Sequence, residues 1–223
     1  MRRLAGAPGR RRRPGRALRL RHHADAHLTR PGRVSTPALA RLRLQDFRNF
    51  SRLDWQPPAP RLLLSGPNGA GKSSLLEAVY LAATTRSFRT ARLEPCLRRG
   101  AERFSIRLEV GEQPRRELAI DWTPAERHRR LDGRAATLAE HLAVLPVLAW
   151  SQADNELLSG GAEIRRRFFD RGMVQQRPAT MATLGRYQKA LAAKRALLTA
   201  APTAELDAWN ELLAREGAEL AAG

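Results

Sequence analysis

Apolar and polar residues alternate from Leu42: Leu42, Leu44 and Phe47 are followed, past the turn-like pair Arg48-Asn49, by Phe50, Leu53 and Trp55. A period near two marks a strand with one face on a core, so the spacing predicts two short antiparallel strands. Pro57, Pro58 and Pro60 close the second, because proline cannot donate to a ladder. Arg61-Leu62-Leu63-Leu64 then reads as a fully buried strand running into a glycine-rich stretch. Residues 74–84 (SLLEAVYLAAT) have helical composition and no breaker, which gives the order strand, glycine loop, helix.

Further along, Phe104, Ile106, Leu108 and Val110 alternate with polar residues, as do Leu118, Ile120 and Trp122 beyond the turn at 111–115, and this predicts a hairpin. Asp132-Gly133 predicts a second one, between 129–131 and Arg134, since both residues tolerate the positive φ of a tight turn. Thr137 and Glu140 have capping-box spacing ahead of a short helix, and 146–150 reads as another apolar strand. Helices are expected over 162–173, 181–200 and 205–222, with Leu184, Tyr187, Leu191 and Leu198 on a partly shared face of the second. Residues 1–36 show no hydrophobic period and are expected to lack order.

Composition changes this picture in two respects. A chain of 223 residues that is 43% apolar can bury a sizeable core, and its formal charge of +18 suggests a polyanionic partner. That charge is uneven: residues 1–33 hold eleven Arg and one Asp, a net +10, leaving 18 − 10 = +8 for the other 190 residues. The arginine block reads as a solvated tail, a nucleic-acid arm or an organellar transit segment. Arg outnumbers Lys 37 to 3, the mark of a GC-rich genome, which weakens arguments from charge alone. The single cysteine, Cys96, excludes an intrachain disulfide framework and a cysteine-based metal cluster and fits a reducing compartment, by default the cytoplasm. No run approaches the 18 or more apolar residues of a membrane-spanning helix, so no membrane partner is expected.

The candidate chemistry is concentrated in GPNGAGKS. Gly66, Gly71, Lys72 and Ser73 match G-x-x-x-x-G-K-[ST], in which backbone N–H groups ring the phosphates of a nucleoside triphosphate, the lysine reaches the β and γ oxygens and the hydroxyl binds Mg²⁺. The candidate contact residues are therefore Gly66, Pro67, Asn68, Gly69, Ala70, Gly71, Lys72, Ser73 and Ser74, with ATP and Mg²⁺ as cofactors and Ser73 as the metal ligand. The glycines permit close approach and positive φ, and the following helix adds its dipole to the anion site.

The filling of that motif, together with LRLQDFRNF upstream, LLEAVYLAATTRSFRT at 75–90, WSQADNELLSGGAEIRRRFFDRGM at 150–173, RYQKALAAKRALL at 186–198 and LDAWNELLAREGAEL at 206–220, resembles the RecF family. These are bacterial recombinational-repair ATPases of the ABC type, related to SMC proteins. The resemblance covers residue 40 onward. It implies an α/β P-loop NTPase fold, the N-terminal part of an ABC-type ATPase head (38–171), with antiparallel edge strands and the start of a helical arm (172–223, cut short), behind an Arg-rich extension (1–37).

The resemblance also implies roles. Arg48 and Asn49 occupy a position beside the nucleotide's phosphates, though a plain strand-turn pair explains them equally. Arg86 and Arg89 match a segment facing nucleotide or DNA, against the alternative of solvated cations past a helix C-terminus. Gln152 and Asp154 fall where this class senses the γ-phosphate, but the family pattern has Pro at the position of Gln152. The implied function is ATP-dependent DNA binding and dimerisation in replication, recombinational repair and the SOS response, with DNA, a second copy and the proteins RecO and RecR as partners. Leu158-Ser159-Gly160-Gly161 spells an ABC signature, yet no strand of four apolar residues ending in Asp-Glu follows within 178–187, so it reads as the loop before a helix. Leu118-Ala119-Ile120-Asp121 looks like a Walker B strand but lacks the following acid. Hydrolysis of this type needs both motifs, so the chain is expected to bind nucleotide weakly and not to turn it over. The competing readings are an ABC transporter ATP-binding subunit and a basic DNA-binding module with a vestigial loop.

Overall fold

The computed structural model of the protein describes residues 19–21, 38–59, 61–112, 114–200 and 206–222. The expectation for the Arg-rich extension therefore lies mostly outside the described residues. The exception is β1 (Arg19–Arg21), a three-residue strand within the stretch expected to lack order, which pairs antiparallel with β4 (Leu63–Ser65).

The main sheet has six strands in the order β3-β2-β5-β6-β7-β8: β2 (Leu39–Phe47), β3 (Phe50–Trp55), β5 (Phe104–Val110), β6 (Arg116–Trp122), β7 (Arg127–Leu131) and β8 (Arg134–Ala135). Every pairing in it is antiparallel, so the strands expected at an edge form the whole of this sheet among the described residues. The turns match their sequences: Arg48-Asn49 joins β2 to β3, and Asp132 (φ 51°) with Gly133 (φ 79°) joins β7 to β8.

One face of the sheet is covered by α1 (Lys72–Thr84), whose Leu75, Ala78, Leu81 and Ala82 are buried. Opposite them lie Leu42, Leu44 and Phe47 of β2, the alternate residues of β5 from Phe104 to Val110, and Leu118, Ile120 and Trp122 of β6. Phe104 anchors the layer, edge-on to Phe47 (centroids 5.4 Å apart) and stacked on Trp122 (5.3 Å). The other face is charged and internally paired. Arg41 meets Asp54, Arg43 meets Glu109 and Glu117, and Arg107 and Arg130 both meet Asp121.

Beyond the sheet, α2 (Leu138–Leu142) starts with the expected reciprocal cap between Thr137 and Glu140. Residues 146–150 form no strand: among the described residues no ladder partner stands beside them, Val147 N–H donates instead to the Gln175 side chain at 2.9 Å, and Leu148 and Trp150 are exposed. A short helix α3 (Glu156–Ser159) precedes α4 (Ala162–Gln176), α5 (Thr180–Ala200) and α6 (Leu206–Ala222). Thr183 bonds Glu219, Arg186 bonds Glu216 and Lys194 bonds Asn210, so α5 and α6 run antiparallel. Leu63 of β4 is 51% exposed, which corrects the fully buried strand read from its three leucines. Among the described residues that strand pairs only with β1, and apolar content alone does not say what covers a strand.

Candidate nucleotide-binding site

β4 delivers the chain to Gly66 and α1 carries it away from Lys72. Between them Gly66, Gly69 and Gly71 adopt φ of 150°, 80° and 101°, a region that residues with a Cβ rarely enter. Two of these glycines differ in surroundings. A Cβ on Gly71 would stand 2.7 Å from Phe50 Cζ and 2.8 Å from Asn49 Nδ2, whereas one on Gly69 would meet nothing within 4 Å. Gly71 is thus fixed by the β2–β3 turn packed against it, and Gly69 borders open space.

The loop is rich in donors. Gly71 caps α1 without a side-chain bond, the first turn carries no acid, and the first helical bond runs from Leu75 N–H to Gly71 O at 2.8 Å. The preceding helical N–H groups have no intrahelical acceptor, and the positive end of the helix dipole sits with them. Lys72 Nζ donates to Gly66 O (2.8 Å) and Pro67 O (2.9 Å), which folds the ammonium over the loop. Ser73 is exposed, and Ser74 is 8% exposed beneath it. Free amide donors, a fixed cation, room above Gly69 and no carboxylate make this cradle fit a phosphate group, with the Ser73 hydroxyl available to a divalent cation.

Of the two turn residues, Asn49 is brought to the loop through its contact at Gly71. Arg48, itself at φ 54°, is held by another group. Its Nε and Nη2 donate to Glu77 Oε2 (2.9 Å) and Oε1 (2.6 Å), and its Nη1 donates to Pro95 O (2.6 Å). Glu77 is the sole acid of α1 and fully buried, and it also accepts from Ser87 Oγ (2.5 Å), Arg89 Nη1 (3.2 Å) and Cys96 Sγ (3.5 Å). Burial pushes the Glu77 carboxyl up, but the bonds from Arg48 and Ser87 outweigh it and hold the carboxyl below its ordinary value. Burial and the neighbouring Glu77 charge push the Cys96 thiol up to about 11, so it stays protonated and inert. Glu77 is the residue that sequence reasoning missed. Its signal was a lone acid in an otherwise apolar helix, where a buried charge demands partners.

The remaining candidates are dispersed. Arg86 follows the C-cap of α1 and is exposed. Gln152 opens a 3-10 turn rather than ending a strand, and Asp154 accepts from Ser151 N–H and Oγ, both at 2.7 Å. Ser159 ends α3, Gly160 is its C-cap and Gly161 is the N-cap of α4, so the LSGG run joins two helices. Asp121 lies on the paired outer face, between Arg107 and Arg130.

Residues 41–140 match the family model described as an AAA domain. DNA replication and repair protein RecF of Stenotrophomonas maltophilia (strain R551-3) is 36% identical over 190 residues, which is 82% of this chain and 52% of that protein. The chain is homologous to RecF. RecF of Anaeromyxobacter dehalogenans (strain 2CP-1 / ATCC BAA-258) is 34% identical over 187 residues, 82% of this chain and 50% of that protein. Among solved structures, the recombination mediator protein RecF-ATPrS of the RecFOR pathway superposes with a TM-score of 0.68 over 83% of this chain and 52% of that one. The corresponding RecF-ATP structure gives 0.67 over 90% and 54%, and both are 22% identical to this chain, so they speak for the shared α/β P-loop NTPase fold. The RecF-like chain spans about half the length of the curated relatives it matches.

Proposed function

We propose that this chain is the ATP-binding part of a RecF-like protein of DNA replication and recombinational repair, with residues 38–171 as the nucleotide-binding body and 172–223 as the start of a helical arm. The observation that carries this reading is the loop itself: three glycines at positive φ, Lys72 folded over their carbonyls, and an uncapped helix start free of acids. Backbone donors from 66–74 hold the phosphates, Lys72 adds charge, and Asn49 lines the loop beside Gly71. Arg48 acts through Glu77, keeping the β2–β3 turn on the loop. Mg²⁺ bound at the Ser73 hydroxyl supplies neutralisation of phosphate charge.

In this reading, which the homology with RecF supports, the protein binds DNA in the cytoplasm, pairs with a second copy when ATP is bound, takes part in the SOS response, and works with RecO and RecR. Glu77, the acid of α1, is committed to Arg48 and so is not free to orient an attacking water. Titration with a fluorescent ATP analogue tests the reading. Lys72→Ala should weaken binding at least about tenfold, and Ser73→Ala should remove its Mg²⁺ dependence. Equal affinity of Lys72→Ala and wild type would overturn it.

A further inference from the structure

Three arginines meet where β7 passes the end of α1. Arg127 and Arg129 lie opposite Trp122 and Ile120 of β6, residues 7% and 0% exposed, so both arginines stand on the helix-covered face of the sheet. Arg127 Nη1 donates to the carbonyl of Thr85, the C-cap of α1, at 2.9 Å, and Arg86 is the next residue of that turn. The negative end of the α1 dipole favours cations here. No carboxylate answers them: among the described residues Arg86, Arg127 and Arg129 form no ion pair, and the buried Nε of Arg129 has no acceptor.

The contrast with the opposite face is informative. There Arg41, Arg43, Arg107 and Arg130 all have carboxylates within 3.0 Å. Beside the unpaired cluster, His141 is fully buried, bonds Ala82 O through Nε2 at 2.6 Å and leaves Nδ1 without a partner. Burial, then Arg129 and Arg86, lowers the proton affinity of Arg127, as crowded cations do without an anion among them. Arg86 and Arg127 are exposed, so the cluster opens outward rather than enclosing a small ligand.

We infer that Arg86, Arg127 and Arg129 form a binding site for the phosphodiester backbone of a nucleic acid. An extended polyanion fits an open cluster, donors without acceptors become satisfied, and the counterions it displaces make the interaction salt-dependent. The inference rests on the DNA-binding reading above and locates part of that interface.

The test is fluorescence anisotropy of a labelled 20-bp duplex across a salt series, using the full chain. The R86Q/R127Q/R129Q variant should bind about tenfold more weakly near 0.1 M salt, and its log–log salt slope should fall by about 1 to 2, near 0.9 for each phosphate no longer neutralised. R116Q, which removes a guanidinium already paired with Asp132, serves as control and should leave the slope unchanged. Binding of the ATP analogue at the Lys72 loop should be retained, showing that the fold survives. Should the triple variant lose that binding, R86Q alone decides, because Arg86 makes no side-chain bond among the described residues, and its slope should still fall by about 0.5 or more. Unchanged slope and affinity would overturn the assignment while leaving DNA binding intact, and a wild-type chain that binds no duplex would overturn both. If the variant bound duplex normally but no longer gained thermal stability from inorganic phosphate, the cluster would be a small-anion site and the assignment to nucleic acid would fall.

Discussion

Glu77→Gln is the substitution that most directly probes what holds the nucleotide loop in place. Glutamine keeps the shape and one carbonyl oxygen but discards the charge that Arg48 grips with two bonds and that Ser87 and Arg89 share. Removing one partner of a buried ion pair costs about 3–5 kcal/mol, because the other charge stays behind without its counterion. The lower end applies here. Arg48 keeps its bond to Pro95 O, and Arg89 is 42% exposed, so water screens its share. The expected loss is about 3 kcal/mol, or roughly 6–12 °C in melting temperature for a chain of this size. Thermal melts by circular dichroism, with urea titration at pH 7, give both quantities. A shift below about 2 °C would refute the view that Glu77 anchors this corner. The pH dependence adds a second check. The folded carboxyl titrates below its ordinary 4.5, so its contribution is present above pH 4.5 and is lost as pH falls through the lower folded value. The gap between wild type and Glu77→Gln should therefore narrow in acid.

Two further substitutions separate the reasons for glycine in the loop. Gly71→Ala combines positive φ with a Cβ 2.7 Å from Phe50 and should cost about 2–4 kcal/mol and weaken ATP-analogue binding, while Gly69→Ala, with strain alone, should cost about 1 kcal/mol; equal costs in urea titrations would contradict this. His141 is held neutral by burial, with Arg129 and Arg127 adding to that and the Ala82 carbonyl opposing it, so its folded pKa lies below 6.5. As pH drops below 6.5 the unfolded chain takes the proton first, and stability should decline until the folded value is passed. His141→Gln should remove that part of the decline between pH 7 and 5.5, and an unaltered decline would show that other groups cause it.

The parts of the fold legible in the sequence are those in which a local pattern has one physical outcome. Alternation in 42–55 and 104–122 specifies one buried face per strand, Asp132-Gly133 specifies a tight turn, and Thr137 with Glu140 specifies a cap. The nucleotide loop is legible because glycine, lysine and serine at fixed spacing serve one geometry. What escapes depends on which neighbours arrive. Residues 146–150 have strand composition but, among the described residues, no strand beside them, and Leu62 to Leu64 carry no mark of what covers them. Arg48 reads as a phosphate neighbour only through the family resemblance, a plain turn pair explaining it equally; that a buried carboxylate from α1 engages it is a tertiary fact, hinted at only by an acid among leucines and alanines.

The cluster around Glu77 also bears on the order in which the chain folds. Its bonds span separations of only 29, 10, 12 and 19 residues, to Arg48, Ser87, Arg89 and Cys96. Closing loops this short costs little entropy, and the cost grows only slowly with length. All five residues of this cluster lie between residues 48 and 96, and the hairpin it holds begins at Leu39, so on a ribosome this corner can assemble before the long helices have been synthesised. Nucleotide added to nascent chains should then protect it from proteolysis early, while the segments after it are still being made.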